Sequence, residues 1–254
     1  MFPDITYGFY KVFARLHGID FETVALKEDF SLLPEDYFQK NAFVVIANPN
    51  APTGLLLSVE QIASIVENNP NHVVLIDEAY IDFGGTSCAD LTKRYDNLLV
   101  VQTFSKSRSM AGARLGFAVG NRELIADLEK IKYSTNPYSI NRVTLAAGTA
   151  AVCSASYYKE KCAQIMKVRE YTKAALQKQG FFVTDSSANF LFAKKDGLSG
   201  VEIYRRLRQK GILVRHFDTD KIADFNRITI GTKEQMDALL HALQTMNEEG
   251  WVTQ

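Results

Sequence analysis

Cysteine is scarce in this 254-residue chain: there are three, Cys88, Cys153 and Cys162, widely spaced and without a CxxC pair. An odd, scattered set argues against a disulfide framework and fits a reducing compartment. Net charge is missing too, because twenty-nine basic residues stand against twenty-nine acidic ones. Such a balance offers no bulk field to gather nucleic acid or anionic lipid. No apolar run approaches the roughly 20 residues that a bilayer-spanning helix needs, and the opening MFPDITYGFYK lacks the basic start and apolar stretch of a secretory signal. The GxxxxGK[ST] loop of nucleotide hydrolases is absent, as is the HExxH pair of zinc hydrolases. The four histidines, His17, His72, His216 and His241, show no ligand spacing. These absences point to a cytoplasmic protein acting on a small molecule, with no metal, no nucleic acid partner and no membrane.

What the chain does have is a 46% hydrophobic composition, enough for one large core or two smaller ones. In the first half, short apolar runs alternate with amphipathic stretches. The strand-like runs are FVVIA at 43–47, VVLI at 73–76, LLVV at 98–101 and LGFAV at 115–119. Helices are predicted from Ser58, with Gln61 completing a capping box, and over 123–132. The alternation predicts an α/β fold: a mostly parallel sheet with helices on both faces. In such sheets ligands bind beyond the carboxyl ends of the strands. That brings Asp77, after the second run, near Lys106, after the third.

A long helix over 156–179, closed by Gly180, leads into a different pattern. Strands at 181–183, 190–192, 212–214 and 228–230 mix with helices opening at Ser199 (with Glu202) and Thr232 (with Gln235), both read as capping boxes. We therefore expect a large domain over 1–152, and over 153–254 a smaller α+β domain that includes the long connecting helix.

The segment TFSKSRSMAGAR, 103–114, is the richest in chemistry. A lysine leaving a buried strand can have its amine deprotonated by desolvation and cationic neighbours, which makes it a nucleophile toward an aldehyde. Thr103, Ser105 and Arg114 supply two hydroxyls and a guanidinium suited to a phosphate. A phosphate-bearing aldehyde that forms a Schiff base with lysine is pyridoxal 5'-phosphate. The bland alternative is a solvated surface loop. Asp77 opens DEAY, and a carboxylate there can keep a pyridine nitrogen protonated. Its bland alternative, a metal-binding acid of a nucleotide hydrolase, lacks the phosphate loop it would need. Tyr80 could bond a phenolic oxygen or simply pack.

NPNAPTG at 48–54, then DEAY, then TFSK followed by Arg114, taken in order, resembles the fold-type I pyridoxal-phosphate enzymes. More narrowly, the set is similar to the histidinol-phosphate aminotransferase family, class I/II aminotransferases, over about 6–248. The resemblance implies that Lys106 carries the cofactor and moves the proton at the substrate Cα. It implies that Asp77 pairs with the ring nitrogen, Tyr80 with the phenolic oxygen, and that Tyr7 stacks on the ring. Thr103, Ser105 and Arg114 match the phosphate-binding positions. Arg227, in NRITIG, matches the arginine that takes the substrate or 2-oxoglutarate carboxylate through a bidentate fork. Arg215 matches an arginine on the phosphate of histidinol phosphate, and Asn189 a polar position near substrate. Strand alternation puts Arg227 and Thr229 on one face, Ile228 and Ile230 on the other.

The implied activity is transamination of histidinol phosphate and 2-oxoglutarate to imidazole-acetol phosphate and glutamate, in histidine biosynthesis, by a homodimer. An aromatic-amino-acid aminotransferase or a threonine-phosphate decarboxylase-like enzyme shares the same scaffold. From another class, a non-catalytic cofactor-binding or regulatory module stays open. Two departures from the family pattern stand out. Ala51 replaces the asparagine that usually bonds the phenolic oxygen, for which Asn50 is the substitute, with Asn48 or Tyr80 alone as alternatives. The chain also starts where the family's large domain is already under way, without its N-terminal arm and early phosphate loop. The 254 residues alone are therefore expected to bind cofactor weakly and to turn over poorly.

Overall fold

The computed structural model describes residues 1–248. Along the chain run β1 (Phe2–Pro3), α1 (Phe9–Leu16), β2 (Thr23–Val24), β3 (Val44–Ala47), α2 (Val59–Glu67), β4 (Val74–Asp77), β5 (Leu98–Thr103), β6 (Gly116–Gly120), α3 (Arg122–Thr135) and α4 (Arg142–Cys153). Then follow α5 (Ala155–Lys178), β7 (Phe181–Val183), β8 (Phe190–Lys195), α6 (Gly200–Gln209), β9 (Arg215–His216), β10 (Asn226–Thr229) and α7 (Lys233–Glu248).

The first sheet has the order β3-β4-β5-β6, with β3, β4 and β5 parallel and β6 antiparallel at the edge. Val44, Ile46, Val74, Ile76, Leu98 and Val100 form one face, and α2 closes it with Ile62, Ile65 and Val66. That i, i+3, i+4 spacing makes one apolar stripe, and burying each such side chain stabilises by roughly 1.5–3 kcal/mol. The helix starts where expected: Ser58 Oγ accepts from the Gln61 amide at 3.2 Å, and Gln61 Oε1 accepts from the Ser58 amide at 2.9 Å. The three parallel strands run in register, so Ala47, Asp77 and Val101 lie side by side at their carboxyl ends.

The second sheet is antiparallel throughout, in the order β7-β8-β10-β9. Its two faces are covered differently because its strands alternate. Leu191, Ala193 and Ile228 meet side chains of α5, α6 and α7 in one core. Phe192 on the opposite face joins Phe30, Phe225, Ile222 and Ile5. Arg227 lies opposite Phe192 in the register, so it shares that second face, as alternation requires.

Hydrogen bonds stitch the two sheets together at the NPNAPTG turn, both of whose prolyl bonds are cis. Thr184 Oγ1 donates to the Thr53 carbonyl at 2.7 Å, and the Ser187 amide to the Gly54 carbonyl at 2.8 Å. Gly54 has φ +78°, and a Cβ there would lie 2.2 Å from Ser186 Oγ, so only glycine fits this turn. From α5, the buried Arg169 donates to the carbonyls of Phe83 and Ala188, each at 2.8 Å.

Three local expectations need correction. Ser199 makes no side-chain cap, and Glu202 instead binds Arg206 at 2.6 Å, one turn along the helix. The strand expected over 212–214 is displaced to Arg215–His216, because only there does the chain reach bonding distance of β10. The helices α1 and α4 were not anticipated: α4 shows only a weak apolar stripe, whereas α1 does carry one, Phe9, Val12, Phe13 and Leu16 at i, i+3, i+4 and i+7, so its spacing was legible and was passed over. The expected domain 153–254 includes 249–254, which lie outside the described residues.

Candidate active site

At the carboxyl ends of β3, β4 and β5 lies a pocket of about 350 Å³, within the range of small-molecule sites, roughly 300–1,000 Å³. Tyr7, Asp77, Tyr80, Thr103, Ser105, Lys106 and Arg114 all line it. Small side chains, Ala47, Pro49, Ala51, Ala79 and Ala111, together with Val101 and Gln102 complete the wall. The sequence separates Asp77 from Lys106 by a strand and two turns. The parallel pairing of β4 with β5 brings both to one opening.

Asp77 is the last residue of β4, and its two oxygens have separate donors. Tyr10 Oη donates to Oδ2 at 2.7 Å, and the Ala79 amide donates to Oδ1 at 3.1 Å. Burial pushes the Asp77 carboxyl above the ordinary aspartate range; the Tyr10 and Ala79 donors and the Lys106 charge oppose the rise, and neighbouring Glu78 adds to it. Burial first, then the Asp77 charge, drives the Tyr10 phenol far above its usual range, so that it stays a donor. Glu78 points the other way and is fully engaged: it accepts from Ser87 Oγ at 2.6 Å, the Cys88 amide at 2.7 Å and Gln102 Nε2 at 2.7 Å. These bonds fix the turn that presents Asp77 and Tyr80.

Lys106 sits in the turn after β5, with its Nζ 5.4 Å from the centroid of the Tyr80 ring. It is exposed, which corrects the expectation of a desolvated amine. β5 ends at Thr103, and Lys106 has already left the sheet. Its loop is held from the DEAYIDF segment. Asp82 accepts a hydrogen bond from Ser107 Oγ and lies 3.6 Å from Arg108 Nη1, and Arg108 in turn lies over the Tyr158 ring of α5 at 5.2 Å. Thr103 Oγ1 donates to Ser105 Oγ at 2.9 Å and accepts from the Ser105 amide at 3.1 Å. Arg114 stands in the left-handed region, with φ +53°, and its Nη1 donates to the Ala111 carbonyl at 3.0 Å. A large side chain seldom adopts that conformation; here it ends the turn at Ala111–Ala113 and returns the chain to β6.

The structure does not bring Asn50 to the pocket. Its amide donates to the Ile5 carbonyl and to Thr53 Oγ1, each at 3.0 Å, and its oxygen accepts from Thr6 Oγ1 at 2.8 Å. The side chain braces the turn from behind and borders a separate cavity of about 650 Å³ instead. Asn48 is tied to the Leu57 backbone through both side-chain atoms, at 2.7 and 3.2 Å. Of the expected candidates for the phenolic oxygen, Tyr80 alone lines the pocket.

Neither Arg227 nor Arg215 borders the pocket. Arg227 approaches it through Phe190. Its Cζ lies 5.0 Å from the Phe190 ring centroid, and the Phe190 ring meets Tyr80 edge-on at 5.1 Å. A continuous path of ring and cation contacts therefore leads from Lys106 through Tyr80 and Phe190 to Arg227. The Nε of Arg227 is buried and has no hydrogen-bond partner among the described residues. Arg215 lies opposite Arg227 in the antiparallel register. Asn189 ties its carbonyl to the Ile230 amide at 2.9 Å and does not line the pocket.

Sequence reasoning missed two residues, Tyr10 and Phe190. The Tyr7–Tyr10 spacing at the start of a helix was the available signal for the first, and a strand-face argument from Arg227 for the second.

The pocket thus offers an amine, a carboxylate, a phenol and a hydroxyl–guanidinium cluster around aromatic walls. The donor set fits the phosphate-bearing aromatic aldehyde expected from the sequence. Among the described residues no cluster of His, Cys, Asp and Glu could hold a metal ion, and no helix is long and apolar enough to cross a membrane.

The sequence model for aminotransferase class I and II matches residues 1–243. The histidinol-phosphate aminotransferase of Brachyspira hyodysenteriae is 48% identical over 244 residues, covering 96% of this chain and 69% of that protein. The crystal structure of the Clostridium acetobutylicum histidinol-phosphate aminotransferase is similar with a TM-score of 0.88 at 27% identity, over 98% of this chain and 78% of that one. The Sinorhizobium meliloti histidinol-phosphate aminotransferase, solved with pyridoxal-5'-phosphate, is similar in fold with a TM-score of 0.87 at 23% identity, over 98% and 70% of the two chains.

Proposed function

The chain belongs to the class I and II aminotransferase family, and from that premise we propose that it transfers the amino group of histidinol phosphate to 2-oxoglutarate with pyridoxal phosphate as cofactor. The products are imidazole-acetol phosphate and glutamate, a step of histidine biosynthesis. The relatives' shared name supports the substrate, and the observation that carries the chemistry is that Lys106 and Asp77 border one pocket.

When bound, the cofactor supplies an electron-accepting ring for the pair left at Cα when its proton departs. The protein's own residues do the rest. Lys106 would hold the cofactor covalently and, once released, its Nζ would carry the proton at the substrate Cα. Asp77 would face the ring nitrogen as an anion and keep it protonated. Tyr80 would donate to the phenolic oxygen, and Tyr7 would cover one ring face. Thr103, Ser105 and Arg114 would grip the phosphate by charge-assisted hydrogen bonds. Arg227 would take the carboxylate of 2-oxoglutarate through a bidentate fork, with Arg215 directed to the phosphate of histidinol phosphate. Asn189 is our outermost assignment, a polar neighbour of the bound substrate.

We divide the chain into a cofactor domain, 1–152, and a smaller domain, 153–254, with the substrate arginines on the second. We also read the working enzyme as a cytoplasmic homodimer. Exposed Phe9, Phe13, Ile131, Val143 and Leu145 on α1, α3 and α4 support the contact between subunits, since large exposed apolar groups in sets mark contact surfaces.

The test is borohydride reduction after incubation with pyridoxal phosphate, followed by peptide mass spectrometry. We expect the label on Lys106 and none in Lys106→Ala. A label confined to other lysines refutes the assignment, and the assay does not depend on turnover. Glutamate formation compared among histidinol phosphate, phenylalanine and threonine phosphate then tests the substrate.

A further inference from the structure

Helix α1 has no buried residue along its length, yet one polar atom on it reaches the site's carboxylate: the Tyr10 hydroxyl lies 2.7 Å from Asp77 Oδ2. The ring that carries it is set by neighbours on both sides. Its centroid lies 5.9 Å from that of Phe2 and 5.5 Å from that of Tyr7, the latter pair edge-on. Tyr10 is therefore aimed by aromatic packing and does not dangle from the helix. The carboxylate it meets has one donor on each oxygen, Tyr10 on Oδ2 and the Ala79 amide on Oδ1. A carboxylate accepts about two bonds per oxygen, so each still has a lone pair for a further donor in the pocket.

We propose that Tyr10 is a positioning residue that clamps the Asp77 carboxylate in one orientation and holds it charged, so that Asp77 can receive the protonated ring nitrogen of the cofactor. This rests on the reading of Asp77 given above and adds to it a residue that touches neither cofactor nor substrate in that scheme.

The surroundings leave few substitutes for the phenol. The strands flanking Asp77 place Ala47 and Val101 beside it in the register, and neither titrates. Lys106, Tyr7 and Tyr80 share the pocket, but among the described residues none of them hydrogen-bonds the carboxylate. Glu78, the adjacent anion, is turned into its own set of three donors and can only disfavour a second charge. Burial works against a charged Asp77, and the phenol is the side-chain donor that opposes it most directly. Tyr10 itself remains protonated throughout the working range, held there by burial and by the anion it serves.

The rival account is that Tyr10 merely fastens α1 to the sheet. Tyr10→Phe keeps the ring and its two aromatic contacts and removes only the hydroxyl. The first readout is the carboxyl titration of Asp77 by 13C NMR in cofactor-free protein labelled at aspartate Cγ, with Asp77→Asn supplying the assignment. We expect Tyr10→Phe to raise the Asp77 midpoint by about one pH unit, the scale on which a hydrogen bond to the charged form acts. The second readout is pyridoxal phosphate affinity at neutral pH, expected to fall roughly tenfold in Tyr10→Phe, the counterpart of one pH unit. In the Asp77→Asn background, Tyr10→Phe should cost nothing further, because the group it serves is gone. An unmoved midpoint overturns the role of Tyr10, as does an affinity loss that adds fully to that of Asp77→Asn. An Asp77→Asn protein that binds pyridoxal phosphate as tightly as the wild type overturns the cofactor reading itself, whatever the titration shows.

Discussion

Arg227 on β10 lies directly opposite Arg215 on β9, two guanidinium-bearing residues at one rung of an antiparallel ladder. Like charges so placed repel, at a cost of roughly 0.2–1 kcal/mol. Each leans over a different ring, Arg227 over Phe190 at 5.0 Å and Arg215 over Phe217 at 5.5 Å. Such a pairing makes sense where an anion is to be received.

Removing one partner should therefore stabilise the ligand-free chain and weaken the substrate. For Arg215→Gln we expect an unfolding free energy higher by about 0.5 kcal/mol in urea melts, from relieved repulsion. The KM for histidinol phosphate should rise about tenfold or more, since a hydrogen bond to a charged group is worth roughly 1.5–3 kcal/mol. Turnover of an unphosphorylated amino donor should be unaffected. A fall in stability, or an equal loss with both donors, would count against the assignment of Arg215.

Asp77 sets a pH dependence of stability. Its folded carboxyl is raised above the usual value of about 4, chiefly by burial. A group raised on folding contributes stability that is present at low pH and is lost as pH climbs through the folded value. At neutral pH the charged Asp77 thus costs the cofactor-free fold stability. Asp77→Asn should be more stable than wild type at neutral pH, with the advantage gone below about pH 4. Thermal melts of both proteins across that range check the sign.

Asp82 holds the loop of Lys106 through Ser107 and Arg108. Asp82→Ala leaves the buried Ser107 hydroxyl without its acceptor, a loss of about 1–3 kcal/mol. Asp82→Asn keeps an acceptor and should lose less. The rate at which Lys106 captures pyridoxal phosphate should fall in the same order, which stopped-flow absorbance can follow. Equal capture rates in all three proteins would show that the clamp does not matter for Lys106.

Arg169 joins Phe83, beyond the DEAY turn, to Ala188, before Phe190. Arg169→Met strands two carbonyls, and each unsatisfied buried group costs about 1–3 kcal/mol. We expect a total loss of roughly 2–6 kcal/mol in urea unfolding. The Tyr80–Phe190 contact spans the same two segments, so affinity for the carboxylate of 2-oxoglutarate should weaken as well, seen as a raised KM.

Much of this protein is decided by local sequence. The runs at 43–47, 73–76, 98–101 and 115–119 become β3 to β6 because they are too short for helices, rich in valine, leucine and isoleucine, and bounded by turn residues, which suits buried sheet strands. Ser58 with Gln61 and Thr232 with Gln235 form their capping bonds because the partners lie three residues apart. Asp77 and Lys106 are legible as site residues because strand ends in a parallel sheet converge. The alternation that gives Arg227 its face is equally local.

The tertiary structure decided everything that depends on which distant segments meet. Ser199 could not be read as uncapped, because Glu202 is drawn to Arg206. Asn50 looked free in sequence, yet Ile5, Thr6 and Thr53 consume its hydrogen bonds across more than forty residues of chain in two of the three cases. Tyr10 reaches an aspartate 67 positions away, and Phe190 stands between Tyr80 and Arg227. Periodicity records what a residue's near neighbours allow. Directional bonds between remote side chains exist only once the backbone has closed, and no spacing rule along one chain encodes them.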